Sequence, residues 1–314
     1  MKQPAGPRVG LVGCGRWGRL ILRDLLRHGC EVLVADPSEE ARRQAIHDGA
    51  AGAVSGLESL PDIAGALVAT PTTAHAGVIA PLLKRGIPVF SEKPLTADPA
   101  SAACLSALAP TKLFVMDKWR YHPGIELLGQ IARSGELGPV VGLRTRRIGW
   151  DHSHSDVDAI WILAPHDLSI ALEVLGYVPE PRGAVAERWG HVATGLVGLL
   201  GTAPWMVLEV SGLGLARARE VRLHCEGGVA LVGDPYSPYV EIARSPAWHE
   251  GGVPLIERRA ISPEFPLVRE LRAFLEYLHG GPPPRSSAAE GVAIVTALGR
   301  LRELAGLELS AGKG

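Results

Sequence analysis

Three glycines, Gly13, Gly15 and Gly18, stand in the run Arg8-Val9-Gly10-Leu11-Val12-Gly13-Cys14-Gly15-Arg16-Trp17-Gly18 with the spacing G-x-G-x-x-G. In such a turn the first glycine permits a tight bend, the second lets main chain approach a pyrophosphate, and the third lets a helix pack on a strand. Asp36 follows 18 positions after the last of them. A carboxylate at about that distance accepts hydrogen bonds from adenosine ribose hydroxyls and repels a 2′-phosphate, which favours NAD(H) over NADP(H). Arg42 and Arg43 lie just downstream and are able to soften that preference, since a guanidinium suits a phosphate. Asp36-Pro37-Ser38-Glu39-Glu40 also reads as a helix start with acids in its first turn, and the two roles are compatible. A second reactive cluster is Ser91-Glu92-Lys93-Pro94. A cation there can polarise a carbonyl oxygen or exchange a proton with it, and burial or a positive nicotinamide would lower the ammonium pKa toward a useful range. A solvated lysine at a loop start is the ordinary alternative.

The elements that must position these groups follow from the hydrophobic pattern. The apolar run before Gly13 reads as a buried strand, and residues 20–26 read as a helix with an apolar face, so the glycines sit on a strand-to-helix turn. The helix N-terminus then offers unpaired N–H groups and a positive dipole end to phosphates. Further signals alternate: a strand over 31–35, a helix over 39–48, a strand over 66–69, a helix over 74–85 and a strand over 88–90. Alternation of this kind predicts right-handed βαβ crossovers and a parallel sheet, with ligands bound beyond the carboxyl ends of the strands. Lys93 lies at one such end and Thr70-Pro71-Thr72-Thr73 at another, where Thr70 and Pro71 either line a nicotinamide pocket or simply turn and cap the chain. Later, strands are expected over 140–148, 203–210, 220–225 and 229–232, and helices over 124–133, 164–175, 267–279 and 288–305.

Composition bounds the function class. The chain has 314 residues, 46% of them hydrophobic, and a formal net charge of −1 from 32 basic and 33 acidic side chains. That balance gives neither a nucleic-acid footprint nor an acidic tail. Cys14, Cys30, Cys104 and Cys225 lie far apart with no C-x-x-C spacing and no secretory h-region precedes them, which predicts reduced thiols in a cytoplasmic protein. The apolar stretch 192–215 is broken by glycines, threonines, a proline and a glutamate, so a hairpin turning near Gly201 to Pro204 is expected rather than a membrane span. Asp151-His152-Ser153-His154-Ser155-Asp156 has metal-ligand residue types but no evident third ligand. A polar loop over the substrate mouth is the expectation, with no metal.

Gly13-Cys14-Gly15-Arg16-Trp17-Gly18, Ala69-Thr70-Pro71 with His75, and Glu92-Lys93-Pro94, in that order and spacing, resemble the Gfo/Idh/MocA family of nicotinamide-dependent oxidoreductases. The similarity continues through Tyr121-His122-Pro123, Ser134-Gly135-Glu136-Leu137-Gly138, Leu163-Ala164-Pro165-His166-Asp167-Leu168 and Glu290-Gly291-Val292-Ala293. The tryptophan in the glycine turn and the L-A-P-H-D run resemble the branch acting on nucleotide-linked sugars and sugar acids. The resemblance implies an α/β chain of two domains. Residues 1–117 would form a Rossmann, doubly wound parallel sheet. Residues 118–314 would form a substrate-binding and oligomerisation domain around an open, mainly antiparallel sheet with helices on one face. Such a sheet must bury its other face, which predicts a homo-dimer or homo-tetramer.

It also implies that Gly13, Gly15, Arg16, Trp17, Gly18, Asp36, Thr70, Pro71, His75, Glu92, Lys93 and Pro94 line the cofactor site. In the family a lysine and a histidine four residues after an aspartate flank the reacting carbon. Here these map to Lys93 and His166, but the aspartate position holds Ile162. His166 thereby loses one orienting partner unless Asp167 or another group supplies it, and Pro165 also suits a helix start with His166 in its first turn. Arg120 and Arg147 are candidates to clamp an anionic sugar or its phosphates, because a guanidinium fork matches both, and Lys93, His166 and Asp167 are further substrate-binding candidates. The chemistry implied is NAD(H)-dependent interconversion of a secondary alcohol and a ketone on a sugar-derived substrate. Reduction of an imine or unsaturated substrate is the nearest variant, and a dinucleotide-binding sensor without turnover is the alternative from another class.

Overall fold

The structure is a computed structural model that describes residues 6–150, 156–244 and 255–308. It divides into two compact units, one comprising Met1–Asp117 with Leu267–Val295 and the other Lys118–Pro266 with Thr296–Gly314.

In the first unit β1 (Arg8–Val12), β2 (Glu31–Ala35), β3 (Gly52–Val54), β4 (Gly65–Val68), β5 (Val89–Glu92) and β6 (Leu113–Met116) form one parallel sheet. Its order is β3-β2-β1-β4-β5-β6. Val9, Leu11, Val32, Val34, Leu67, Val68 and Phe90 are fully buried, as continuous apolar strands must be when helices cover both faces of a parallel sheet. The intervening helices are α1 (Arg16–Arg27), α2 (Glu39–His47), α3 (His75–Lys84) and α4 (Pro99–Leu108). Strand order reverses between β1 and β4, which places a ligand crevice at their carboxyl ends.

The segment 267–295 departs from the sequence reading, which placed it with residues 118–314; it packs with the first unit instead. The cause is aromatic and aliphatic burial that no local pattern reveals. In α7 (Pro266–Leu278), Phe274 stacks on Phe90 of β5 with centroids 5.1 Å apart, and Tyr277 meets Phe114 of β6 edge-on at 4.9 Å. Gly65 lets α7 approach β4, since a Cβ there would lie 2.8 Å from the methyl groups of Leu278. Val115 donates to the Ser286 carbonyl at 2.9 Å, just before α8 (Ala288–Leu304).

The second unit is built on eight strands: β7 (Val140–Trp150), β8 (Pro181–Trp189), β9 (Val192–Gly201), β10 (Trp205–Ser211), β11 (Leu213–Cys225), β12 (Gly228–Val232), β13 (Tyr239–Arg244) and β14 (Ile256–Ala260). Their order is β14-β13-β12-β11-β7-β10-β9-β8. Among the described residues β7 and β10 pair parallel and the other neighbours antiparallel. The hairpin β9–β10 closes with Gly201 opposite Trp205. Period-two alternation sends Leu143, Leu196, Leu208 and Leu223 to the side where α5 (Pro123–Ser134) and α6 (Ala159–Leu175) pack. On the opposite side Val185, Val197 and Leu199 are 71%, 48% and 46% exposed. Among the described residues no helix is long and apolar enough to cross a membrane.

Candidate active site

Each glycine of the turn in the first unit has its own physical reason. Gly13 has φ +87° and a Cβ there would sit 2.7 Å from the Ala69 carbonyl oxygen, while a Cβ on Gly18 would collide with the carbonyl oxygen of Gly13. These two are needed for the turn and for helix packing. Gly15 differs, because a Cβ there would meet nothing within 4 Å. It is the N-cap of α1, with no side-chain cap bond and no acid in the first turn. An unhindered, uncapped, acid-free helix N-terminus suits a pyrophosphate, so the residues present fit a dinucleotide.

Asp36 lies at the end of β2, where its Oδ2 accepts the Cys14 N–H at 2.7 Å and its Oδ1 accepts the Ser38 N–H at 2.8 Å. The cap of α2 is Ser38, whose Oγ accepts the Ala41 N–H at 3.2 Å. The carboxylate thus ties the glycine turn to the β2 end, and each oxygen keeps a lone pair for a ribose hydroxyl. Arg42 donates to the carbonyls of Asp36 and Pro37, both at 2.8 Å, and Arg43 pairs with Glu39 and Glu40 on its own helix. Burial and, secondarily, Asp36 push the Cys14 thiol up to about 11, which removes it as a nucleophile near neutrality.

Two strand-end loops follow. The buried Thr70 Oγ1, beyond β4, has no hydrogen-bond partner among the described residues, as befits a group that awaits a ligand. His75 is 1% exposed; its Nδ1 lies 2.9 and 3.2 Å from the carbonyl oxygens of Pro94 and Leu95, and its Nε2 lies 3.1 Å from that of Thr70. His75, expected in the cofactor site, thus braces the Thr70 loop against the Lys93 loop. Glu92 is buried and Lys93 half-buried. The indole N–H of Trp17 donates to Glu92 Oε1, and the Lys93 backbone N–H donates to Glu92 Oε2 at 3.2 Å. The sequence offered only one advance signal of this carboxylate link, a donor-bearing aromatic in the glycine turn.

In the second unit both candidate clamp arginines lie beside protein carboxylates. Arg147 Nε donates to Asp167 Oδ2 at 2.8 Å and Nη2 to Oδ1 at 3.4 Å, with the guanidinium 4.4 Å above the Trp119 ring. Both partners are almost wholly buried. Arg147 and Asp167, both expected at the substrate, therefore satisfy each other in a buried ion pair, as buried charges must. Arg120 is likewise buried, 3.5 Å from Glu173.

The helix carrying His166 also begins earlier than expected. Asp158 caps α6 by accepting from Ile160 and Trp161 at 3.1 and 3.3 Å, and its other oxygen holds Arg302 at 2.7 Å. Pro165 is accordingly internal to the helix, and His166 sits mid-helix, not at its start. Ile162 and His166 are both half-buried, one turn apart on one face. Asp167 turns away to Arg147 and does not supply the orienting carboxylate. The polar loop over 151–155 lies outside the described residues. Among the described residues no group of three or more His, Cys, Asp or Glu side chains is arranged to hold a metal.

Comparison with known proteins bears on this geometry. Residues 7–115 match the Gfo/Idh/MocA profile, described as an oxidoreductase family with an NAD-binding Rossmann fold. An inositol 2-dehydrogenase of Arthrobacter sp. (strain FB24) is 34% identical over 147 residues, which are 43% of this chain and 44% of that protein. The match thus spans less than half the length of that relative. Two solved structures share the fold: UDP-N-acetylglucosamine 3-dehydrogenase from Acidithiobacillus ferrooxidans and levoglucosan dehydrogenase in complex with NADH. The first has TM-score 0.81 at 22% identity, over 95% of this chain and 97% of that one. The second has TM-score 0.83 at 15% identity, over 95% and 96%.

Proposed function

From a stretch, residues 7–115, that belongs to the Gfo/Idh/MocA oxidoreductases with their NAD-binding Rossmann fold, we propose that the chain interconverts a secondary alcohol and a ketone on a sugar or sugar-derived substrate, using NAD(H). The observation that carries this reading is the pairing, within one unit, of an open glycine cradle at α1 with a half-buried cation, Lys93, at the end of β5. Gly13, Gly15 and Gly18 shape the turn, Arg16 and Trp17 open the helix behind it, and Asp36 receives the adenosine ribose and disfavours NADP(H). Thr70, Pro71 and Pro94 belong to the loops beside Lys93. The bound nicotinamide supplies hydride chemistry, and the protein supplies placement and charge.

Lys93 hydrogen-bonds the substrate oxygen and exchanges its proton as the carbon–oxygen bond changes order, and His166 assists as acid or base. The substrate class is supported by relatives named as inositol and sugar dehydrogenases. The apolar open face around Val185, Val197 and Leu199 supports a homo-oligomer formed through the second sheet, because unpartnered patches of this kind mark association surfaces. We place the enzyme in the cytoplasm, on the dispersed cysteines read above. Ile162 favours the second reading, a dinucleotide sensor without turnover. The deciding experiment is NADH consumption with a panel of keto-sugars and keto-inositols. Turnover with any of them supports the enzyme, and tight NADH binding with turnover on none supports the sensor.

A further inference from the structure

We infer that Trp17 and Glu92 form a positioning pair that sets the place of Lys93 from the cofactor's own phosphate-binding turn; this rests on the reading of Lys93 as the proton-exchanging cation. Trp17 is the second residue of α1, which follows β1 after the turn Gly13-Cys14-Gly15. Its indole N–H reaches Glu92 Oε1 at the end of β5. In the sheet β4 lies between β1 and β5, so the bond joins two strand ends across a third, at the point where the strand order reverses. The second oxygen of the same carboxylate accepts the Lys93 N–H at 3.2 Å. One buried carboxylate therefore connects the glycine turn to the amide that carries the reactive side chain.

The chemistry of the two groups makes this a directed link. An indole nitrogen only donates and an ionised carboxylate only accepts, and a hydrogen bond to a charged acceptor is shorter and stronger than a neutral one. Glu92 is 8% exposed, so water cannot fully replace a lost donor, and a buried carboxylate that loses one is driven to find another. The Lys93 N–H already donates to that carboxylate, so a shift of Glu92 shifts the Lys93 main chain. The variable positions of a G-x-G-x-x-G turn place no demand for tryptophan on phosphate binding, which uses backbone N–H groups. Tryptophan supplies the N–H that reaches Glu92. Trp17 and Glu92 touch neither the reacting atoms nor the transferred proton in this account; they fix where Lys93 stands.

The test uses the full-length protein with NADH and whichever keto-sugar gives turnover. Trp17→Phe keeps an aromatic ring and removes the donor, Glu92→Gln keeps the shape and one acceptor, and the double variant combines them. The expected result is a fall in kcat of about 10-fold for Trp17→Phe and a smaller fall for Glu92→Gln, with the Kd for NADH within about 3-fold of wild type in both. The double variant should be no slower than Trp17→Phe alone, because both changes break one link and are then non-additive. Thermal unfolding with and without NADH, which needs neither turnover nor Trp17, establishes that each variant is folded and loaded. If Trp17→Phe destabilises the turn, Glu92→Gln carries the test by the same split of kcat from Kd. Unchanged kcat in folded, NADH-loaded single variants, or single effects that multiply in the double, overturns the pair. Absence of turnover in the wild type on every substrate instead overturns the enzyme reading itself, a result read before any variant is made.

Discussion

Replacing Gly15 by alanine should separate cofactor binding from folding more cleanly than any other change in the glycine turn. The backbone at Gly15 has φ −69° and ψ −160°, which alanine adopts without strain, and the added Cβ meets nothing within 4 Å. Loss of a favourable N-cap residue costs roughly 1 kcal/mol, and the stiffer unfolded chain returns about 0.4–1 kcal/mol. The net change in stability is therefore close to zero, a Tm shift within about 3 °C at the usual 2–4 °C per kcal/mol. In the cofactor complex the same methyl stands between main chain and pyrophosphate. Loss of one charge-assisted N–H to phosphate bond costs roughly 1.5–3 kcal/mol, about 10- to 100-fold in Kd. NADH at 100 times the wild-type Kd stabilises wild type by about 2.7 kcal/mol, and a 30-fold weaker variant by only about 0.9. Thermal unfolding with and without NADH reads both quantities at once. Gly13→Ala is the control, since φ +87° and the approach to the Ala69 carbonyl at 2.7 Å should lower Tm by about 10 °C or more. Full NADH stabilisation in Gly15→Ala would refute the placement of the pyrophosphate, and a Tm as low as that of Gly13→Ala would refute the unstrained backbone at Gly15.

Other expectations follow from the same geometry. Asp36→Ala should narrow or reverse the NADH over NADPH preference in fluorescence titrations; an unchanged ratio would remove Asp36 from the ribose site. Arg147→Ala should lower stability by about 3–5 kcal/mol in urea unfolding, because it strands the buried Asp167 carboxylate, whereas a substrate-binding arginine would raise KM with little effect on the midpoint. Burial holds the Cys14 and Cys30 thiols up at about 11 and raises Cys225. The thiolate fraction at pH 8 is then about a thousandth at Cys14, so the exposed Cys104 should be alkylated first in the folded protein. Comparable rates at Cys14 and Cys104 would contradict its burial. Ile162→Asp sets a carboxylate one turn from His166 and favours its charged form, so the pH optimum of kcat/KM should move upward. Overlapping profiles for wild type, Ile162→Asp and His166→Asn would exclude His166 from proton transfer.

The first unit was legible because its signals are local. Glycine spacing, strand-end Asp36 and the strand before Lys93 each depend on a few neighbouring residues, and the elements lie within a few positions of where periodicity put them. What escaped was non-local. Arg147 reads as a free fork until β7 and α6 bring Asp167, twenty residues away, against it. Pro165 imitates a helix start, because the cap that opens α6 at Asp158 sits seven residues upstream of the apparent signal. The assignment of 267–295 to the first unit rests on Phe274 meeting Phe90 across more than half the chain, which no pattern within α7 encodes. Short strands such as β3 and the polar edge strand β8 lack the apolar run or clean alternation from which a strand is read.

The most direct measurement of the central claim is NADH oxidation by the wild-type protein and by Lys93→Met, followed across keto-sugars and keto-inositols at saturating cofactor. Wild type should turn over at least one substrate, and kcat should fall by roughly 10² to 10⁴ in Lys93→Met, with NADH binding retained. Near-normal kcat in Lys93→Met would reduce that lysine to a structural residue, and tight NADH binding with no turnover on any substrate would contradict the enzyme itself.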